Sequence, residues 1–115
     1  MADVPLASRR CTPCEGGVEP LPASAAAVLL ADVPGWELSQ DGTTLRRTVV
    51  CKDFLAAVQL IQRLAPIAEA EDHHPDLHLT RYKRLTIELS THAIGGLSEN
   101  DFILAAKFSP LLPAS

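Results

Sequence analysis

Between Arg84 and Ser90 apolar and polar side chains alternate without a break. Leu85, Ile87 and Leu89 fall on one side; Arg84, Thr86, Glu88 and Ser90 fall on the other. A period of two places every second side chain on the same face, so the segment is a strand with one dry face and one wet face. This constrains the chain more than any other feature: it calls for an antiparallel sheet covered on one side. Leu77, Leu79 and Arg81 alternate with His78, Thr80 and Tyr82 in the same way, which predicts a preceding strand over 77–82. Thr44 to Val50, rich in Thr and Val, reads as a strand, and Trp36 to Ser39 as its extended partner. Asp41-Gly42 between them is a strong hairpin turn.

From Asp53 the period changes. Phe54, Val58, Ile61 and Ala65 recur at helical spacing, with Leu60 and Leu64 broadening the stripe, and Asp53 stands where an N-cap acid helps. Pro66 lacks the N–H that would bond the Gln62 carbonyl, so a kink is expected there, with helix continuing to about Glu71. Ser24 to Ala31 favours a shorter helix capped by Ser24 and stopped before Pro34-Gly35. Ser98-Glu-Asn-Asp101 resembles a capped start for a last helix, with Phe102, Ala105 and Ala106 on its buried side. The order α-β-β-α-β-β-α predicts an α+β fold: a four-stranded antiparallel sheet with helices packed on one face. Residues 1–22 hold four prolines and Gly16-Gly17, which reads as an irregular N-terminal arm. The domain then spans 23–109, and 110–115 form a C-terminal tail.

A chain of 115 residues is one domain by length. Ten Lys and Arg against fourteen Asp and Glu leave a net charge of −4, and only 4% of the residues are aromatic. Nucleic-acid binding needs a basic face or a stacking platform, and neither is evident. Cys11, Cys14 and Cys51 are too few, and odd in number, for a disulfide framework; this suits a reducing compartment. The longest strongly apolar run, Ala25 to Ala31, is far short of the about 20 residues of a membrane span. After Arg9-Arg10 the chain is polar and turn-rich where a signal peptide would turn apolar. A soluble cytoplasmic protein is the expectation.

The chemistry concentrates in the histidines: His73, His74 and His78 in or beside one short stretch, and His92 after the last strand. Imidazole is the side chain best suited to move protons near neutral pH. Pro75 biases His74 toward extended backbone, so the pair sits at a helix-to-strand junction where functional side chains are often exposed. Glu69 lies one helical turn before His73. A His-His pair at a helix end is most often simply solvated. Cys11, Cys14, His73, His74 and His92 are donors for zinc, but no second ligand pair stands at zinc-finger spacing. Cys11-x-x-Cys14 as a redox pair lacks the βαβ context of such motifs, and Cys51 has no base placed beside it.

Several spaced elements in order carry a family resemblance. They are Glu69-x-x-x-His73-His74-Pro75, Tyr82, Thr91-His92 ten residues beyond that aromatic, and Gly96-Leu97-Ser98-x-x-Asp101. Pro34-Gly35-Trp36, Leu45-Arg46-Arg47 and Asp53-Phe54 match upstream landmarks. Over about residues 21–108 the chain resembles the pterin-4a-carbinolamine dehydratase family.

The resemblance implies the same α+β sandwich. It also implies assembly into homodimers or homotetramers through sheet edges, and removal of water from 4a-hydroxytetrahydropterin to give quinonoid dihydropterin. No metal or organic cofactor is implied. His73 and His92 become the acid and base candidates flanking the reacting carbon, and His74 a substrate-binding and secondary proton-transfer residue. Glu69, Asp101 and Tyr82 join as substrate-binding candidates, although Asp101 has capping-box spacing and Trp36 reads as core. Clustered histidines oppose one another's charge, which lets an acid and a base coexist. The arm, with Asp76-Leu-His-Leu79 and Asn100 to Lys107, resembles a bacterial and plastid branch. That branch includes Rubisco assembly factors lacking the histidine motif. A non-catalytic assembly or protein-binding role is therefore the alternative, with the arm as a partner surface. Another family role, pairing with a homeodomain transcription factor, fits the acidic balance and the arm less well. With all three histidines present, the enzyme is the expected reading.

Overall fold

The computed structural model describes residues 5–12 and 19–113. Helix α1 spans Ala23–Leu30, strands β1 and β2 span Glu37–Leu38 and Leu45–Val50, and helix α2 spans Phe54–Glu71. Strands β3 and β4 span Asp76–Thr80 and Arg84–Leu89, and helix α3 spans Glu99–Phe108. The four strands form one antiparallel sheet in the order β1-β2-β4-β3. This is the α+β architecture expected from the sequence.

Register explains the dry face. Leu45 pairs with Leu89, Arg47 with Ile87, Val49 with Leu85, and on the far side Leu77 with Ile87 and Leu79 with Leu85. Leu45, Val49, Leu85, Ile87 and Leu89 are fully buried under α2 and α3 together with Leu64, Phe102 and Phe108. The other face is a polar lattice. Glu88 accepts from Arg46 and is bonded to His78, both at 2.7 Å, and Thr48 meets Thr86 at 2.9 Å. The Arg46 bond holds the Glu88 carboxyl below its usual range. His78, on this face, is thereby separated from the other histidines.

Four expectations are revised. Helix α1 begins two residues early: Pro22 is its N-cap, its fixed φ suiting that place, and Ser24 lies inside without capping. Strand β1 is two residues long because Trp36 turns into the core, where its indole N–H donates to Ser109 Oγ at 3.0 Å. On α2 the buried stripe is Ala57, Leu60, Leu64 and Ala68. Ile61 is only half-buried, and Phe54 is 55% exposed. Small alanines at both ends of the stripe let α2 lie close to the core. As expected, the helix continues past Pro66 to Glu71. Both Gln62 and Pro66 face solvent, so water can satisfy the freed carbonyl. Finally, β3 stops at Thr80, because Arg81 and Tyr82 adopt left-handed backbone (φ 49° and 55°) in the turn to β4.

Asp53 caps α2 as expected, accepting from the Ala56 N–H at 2.8 Å. In the hairpin turn the Asp41 carboxylate collects Ser39 Oγ, Thr43 N and Thr43 Oγ1, which draws its pKa down to about 2. The arm is not a bystander. A 3₁₀ turn over Leu6–Ser8 buries Leu6 in the main core beside α3, which is why α3 is buried on nearly every side. Pro20 packs on Gly96, where an added Cβ would lie 2.8 Å from the Pro20 ring.

Gly35 combines φ +90° with close approach: a Cβ there would sit 3.2 Å from the Arg47 guanidinium. The flexible guanidinium can give way, but the backbone strain stays. Gly35→Ala is therefore expected to cost about 1–2 kcal/mol, lowering Tm by several degrees in a thermal melt.

Candidate active site

The end of α2 aims the first histidine. Asp72 takes a left-handed conformation (φ 51°, ψ 40°), its N–H reaching the Ala68 and Glu69 carbonyls, and the His73 N–H bonds Ala68 O at 3.2 Å. This αL ending reverses the chain and sends the His73 ring toward the start of α3. There His73 Nε2 meets Asp101 Oδ1 at 2.6 Å, with the carboxyl fully buried and the ring side chain 12% exposed.

Asp101 is the hub. Its Oδ2 accepts from the Thr91 hydroxyl at 2.9 Å and from the Ser98 N–H at 3.0 Å, the latter bond completing the capping expected of Ser98 and Asp101. Thr91 Oγ1 also lies 2.8 Å from Ser98 Oγ. An ionised carboxylate only accepts, so against an ionised Asp101 it is His73 Nε2 that donates. One bond network thus joins the end of α2, the segment after β4 and the start of α3.

The second histidine, His74, is 53% exposed and bonds Glu69 at 3.1 Å. The third, His92, opens a 3₁₀ turn over His92–Ile94. The turn is closed by Thr91 and Gly96, which pair as an isolated bridge, and by Gly95 in left-handed backbone. His73, His74 and His92 line one open cleft of about 540 Å³, within the roughly 300–1,000 Å³ of small-molecule sites. Ser90, Thr91, Asp72 and Glu71 contribute to its floor and rim.

The other expected site residues are placed differently. Asp101, expected to bind substrate, has no exposed surface here; both its oxygens are engaged inside, one of them on His73. Tyr82 sits at the β3–β4 turn, 59% exposed beneath the Lys83 ammonium and outside the cleft lining, so this chain's own cleft does not use it. Glu69 is largely exposed and reaches the cleft only through His74.

Sequence reasoning passed over Glu71, Asn100 and the arm as parts of the cleft. Glu71 is a buried carboxylate that accepts the Cys11 N–H at 2.7 Å, the bond that most lowers its pKa; Lys107 and Arg10 lie near it. Cys11 and Thr12 line the same cleft as the histidines. Burial, with the Glu71 charge second, pushes the Cys11 thiol up to about 12. Cys11 and Cys51 are free thiols, and Cys14 lies outside the described residues. Among the described residues no three His, Cys, Asp or Glu side chains converge as a metal-ligand set.

The family model for pterin 4 alpha carbinolamine dehydratase matches residues 19–111. The chain belongs to the pterin-4a-carbinolamine dehydratase family. It is 51% identical over 112 residues to a provisionally named pterin-4-alpha-carbinolamine dehydratase of Stenotrophomonas maltophilia, covering 96% of both chains. It is 46% identical over 109 residues to the mitochondrial pterin-4-alpha-carbinolamine dehydratase 2 of Arabidopsis thaliana, covering 92% of this chain and 58% of that one. A crystal structure of a transcriptional coactivator/pterin dehydratase from Brucella melitensis superposes with a TM-score of 0.76 at 28% identity. The match covers 83% of this chain and all of that one. In this dehydratase-family chain the histidine motif read from sequence and the cleft coincide.

Proposed function

We propose that the chain removes water from a 4a-hydroxytetrahydropterin by histidine acid–base catalysis. Family membership makes it a pterin carbinolamine dehydratase, a hydro-lyase. The observation supporting the histidine mechanism is the cleft itself: three imidazoles line it, and one is hydrogen-bonded to a buried carboxylate.

The elimination needs two proton transfers. The N5 proton leaves to a base, and its bonding pair becomes the C4a=N5 double bond. The C4a–O bond breaks as the hydroxyl accepts a proton from an acid and departs as water. His73, with its Nδ1 lone pair, suits the base, and His92 across the cleft suits the acid. His74, steadied by Glu69, suits pterin binding and a secondary proton relay. The acid gives the proton that the base gains, so solvent exchange resets both, and no external reductant or oxidant enters. Wild-type protein is expected to accelerate the formation of quinonoid dihydropterin followed in the ultraviolet. A rate equal to buffer alone would overturn the reading.

A non-catalytic assembly or protein-binding role explains less. It has no need of an imidazole locked by a carboxylate inside a cleft. Free thiols fit a reducing cytosol, and no described helix is long and apolar enough to cross a membrane.

The chain is further proposed to work as a homodimer or homotetramer. Strand β3 is an open edge of the sheet, and Phe54, Leu55 and Val28 leave large apolar surfaces exposed. Both features invite pairing with another copy. Sedimentation at micromolar concentration is expected to give two or four chain masses; a single-chain mass would refute the assembly.

A further inference from the structure

Cys11 and Thr12 of the arm line the histidine cleft, and the chain holds them there by dedicated contacts. Asn100 grips Thr12 from both sides: Thr12 N–H donates to Asn100 Oδ1 at 3.0 Å, and Asn100 Nδ2 donates to Thr12 O at 2.5 Å. One residue earlier, buried Glu71 takes the Cys11 N–H, and the Cys11 thiol reaches the Asn100 carbonyl at 3.6 Å. Further out, Arg9 pairs with Glu99 at 2.7 Å and Lys107 donates to the Ala7 carbonyl at 2.9 Å.

The anchors are not scattered. Asn100 directly precedes Asp101, and Glu71 lies two residues before His73. The arm is therefore strapped to the two segments that form the His73–Asp101 bond. Asn100 is 5% exposed although it is a polar residue in the first turn of a helix. A buried amide is costly unless bonded, so its partner on the arm is part of why it is tolerated.

We propose that Cys11 and Thr12 form a wall of the pterin site, and that Asn100 is the positioning residue that sets this wall. The wall narrows the cleft beside the bound pterin and limits water on that side; Asn100, at the edge of the same cleft, acts by holding the arm in place. The inference rests on the dehydratase reading and adds to it a substrate-confining role for a segment outside the histidine motif. Cys11, on the inner side of the strap, is a built-in reporter. A docked arm keeps its thiol half-buried and protonated, and a bound pterin covers it further.

The test combines kinetics with alkylation of Cys11 by iodoacetamide, read by peptide mass mapping. Asn100→Ala is expected to raise KM for 4a-hydroxytetrahydropterin about tenfold, the scale of one to two lost hydrogen bonds, with a smaller change in kcat. Alkylation of Cys11 should speed up at least tenfold, because a released thiol regains its ordinary acidity. Thr12→Pro removes the arm's N–H donor and leaves α3 untouched. It should reproduce both effects even where Asn100→Ala folds poorly. The double variant should be no worse than the more affected single variant, since both break one contact. In wild type, saturating tetrahydropterin should slow Cys11 alkylation. Unchanged KM and unchanged alkylation in Thr12→Pro, with an active wild type, would overturn the wall while leaving the dehydratase reading intact. A wild type without turnover would remove both.

Discussion

Asp101→Asn is expected to lower kcat by about 10²–10⁴-fold while the protein stays folded. The argument is one of fixed donors. Ser98 presents a backbone N–H to the Oδ2 position at 3.0 Å, and a backbone donor cannot turn into an acceptor. The asparagine carbonyl must therefore stay on that side, which points its NH₂ group at His73 Nε2. The ring then has to accept at Nε2, and its proton moves to Nδ1. The lone pair needed to take the N5 proton is gone, although the side chain has nearly the same shape. Loss of a positioned general base costs about that range in rate. Asp101→Ala should behave differently. It leaves the Ser98 N–H and His73 without their buried partner and the Thr91 hydroxyl with Ser98 Oγ alone, costing about 2–4 kcal/mol, and its Tm should fall well below that of the asparagine variant. Melting curves and turnover numbers on the same samples check both. An asparagine variant retaining more than about a tenth of wild-type kcat would sink the tautomer argument.

His92→Ala should show the cleanest separation of catalysis from folding. His92 is exposed at the start of a short turn and carries no core contact. Exposed substitutions of this kind move stability by no more than about 0.5 kcal/mol, so Tm should stay within a few degrees of wild type. Activity should nevertheless drop by about 10²–10⁴-fold, because the departing hydroxyl loses its proton donor. Glu69→Ala should lose much less, since its carboxylate is 76% exposed and reaches the cleft only through His74. A collapsed Tm for His92→Ala would reassign that residue to the fold. Full activity would remove it from the mechanism.

What was legible in the sequence was whatever repeats along one element. The alternation at 84–90 stated which face of the sheet is dry, and the register of β2, β3 and β4 obeys it. The spacing of Ser98 and Asp101 announced a helix start, and Asp41-Gly42 a turn. Conformations that residue type does not advertise were not legible. Arg81 and Tyr82 form a tight turn with no Gly, Asn or Asp, so alternation carried the expected strand two residues too far. On α2 hydrophobicity favoured Phe54 and Val58, while packing distance favoured Ala57 and Ala68. Alanines give little signal of burial from their chemistry alone.

The site divides in the same way. The three histidines were found because their order and spacing form a motif. The role of Asp101 was only half visible: capping spacing explains the Ser98 bond, but nothing local announces that the other oxygen reaches His73, 28 residues away. The place of Cys11 and Thr12 in the cleft wall was invisible, because Asn100 and Thr12 are 88 residues apart and their contact runs through the backbone of an irregular segment.

The most direct measurement is the turnover of 4a-hydroxytetrahydropterin by the wild type beside a His73→Ala/His92→Ala double variant, with far-ultraviolet circular dichroism on both. The account predicts a native spectrum for the double variant with its rate reduced to near that of buffer. A natively folded double variant turning over within about tenfold of wild type would contradict it.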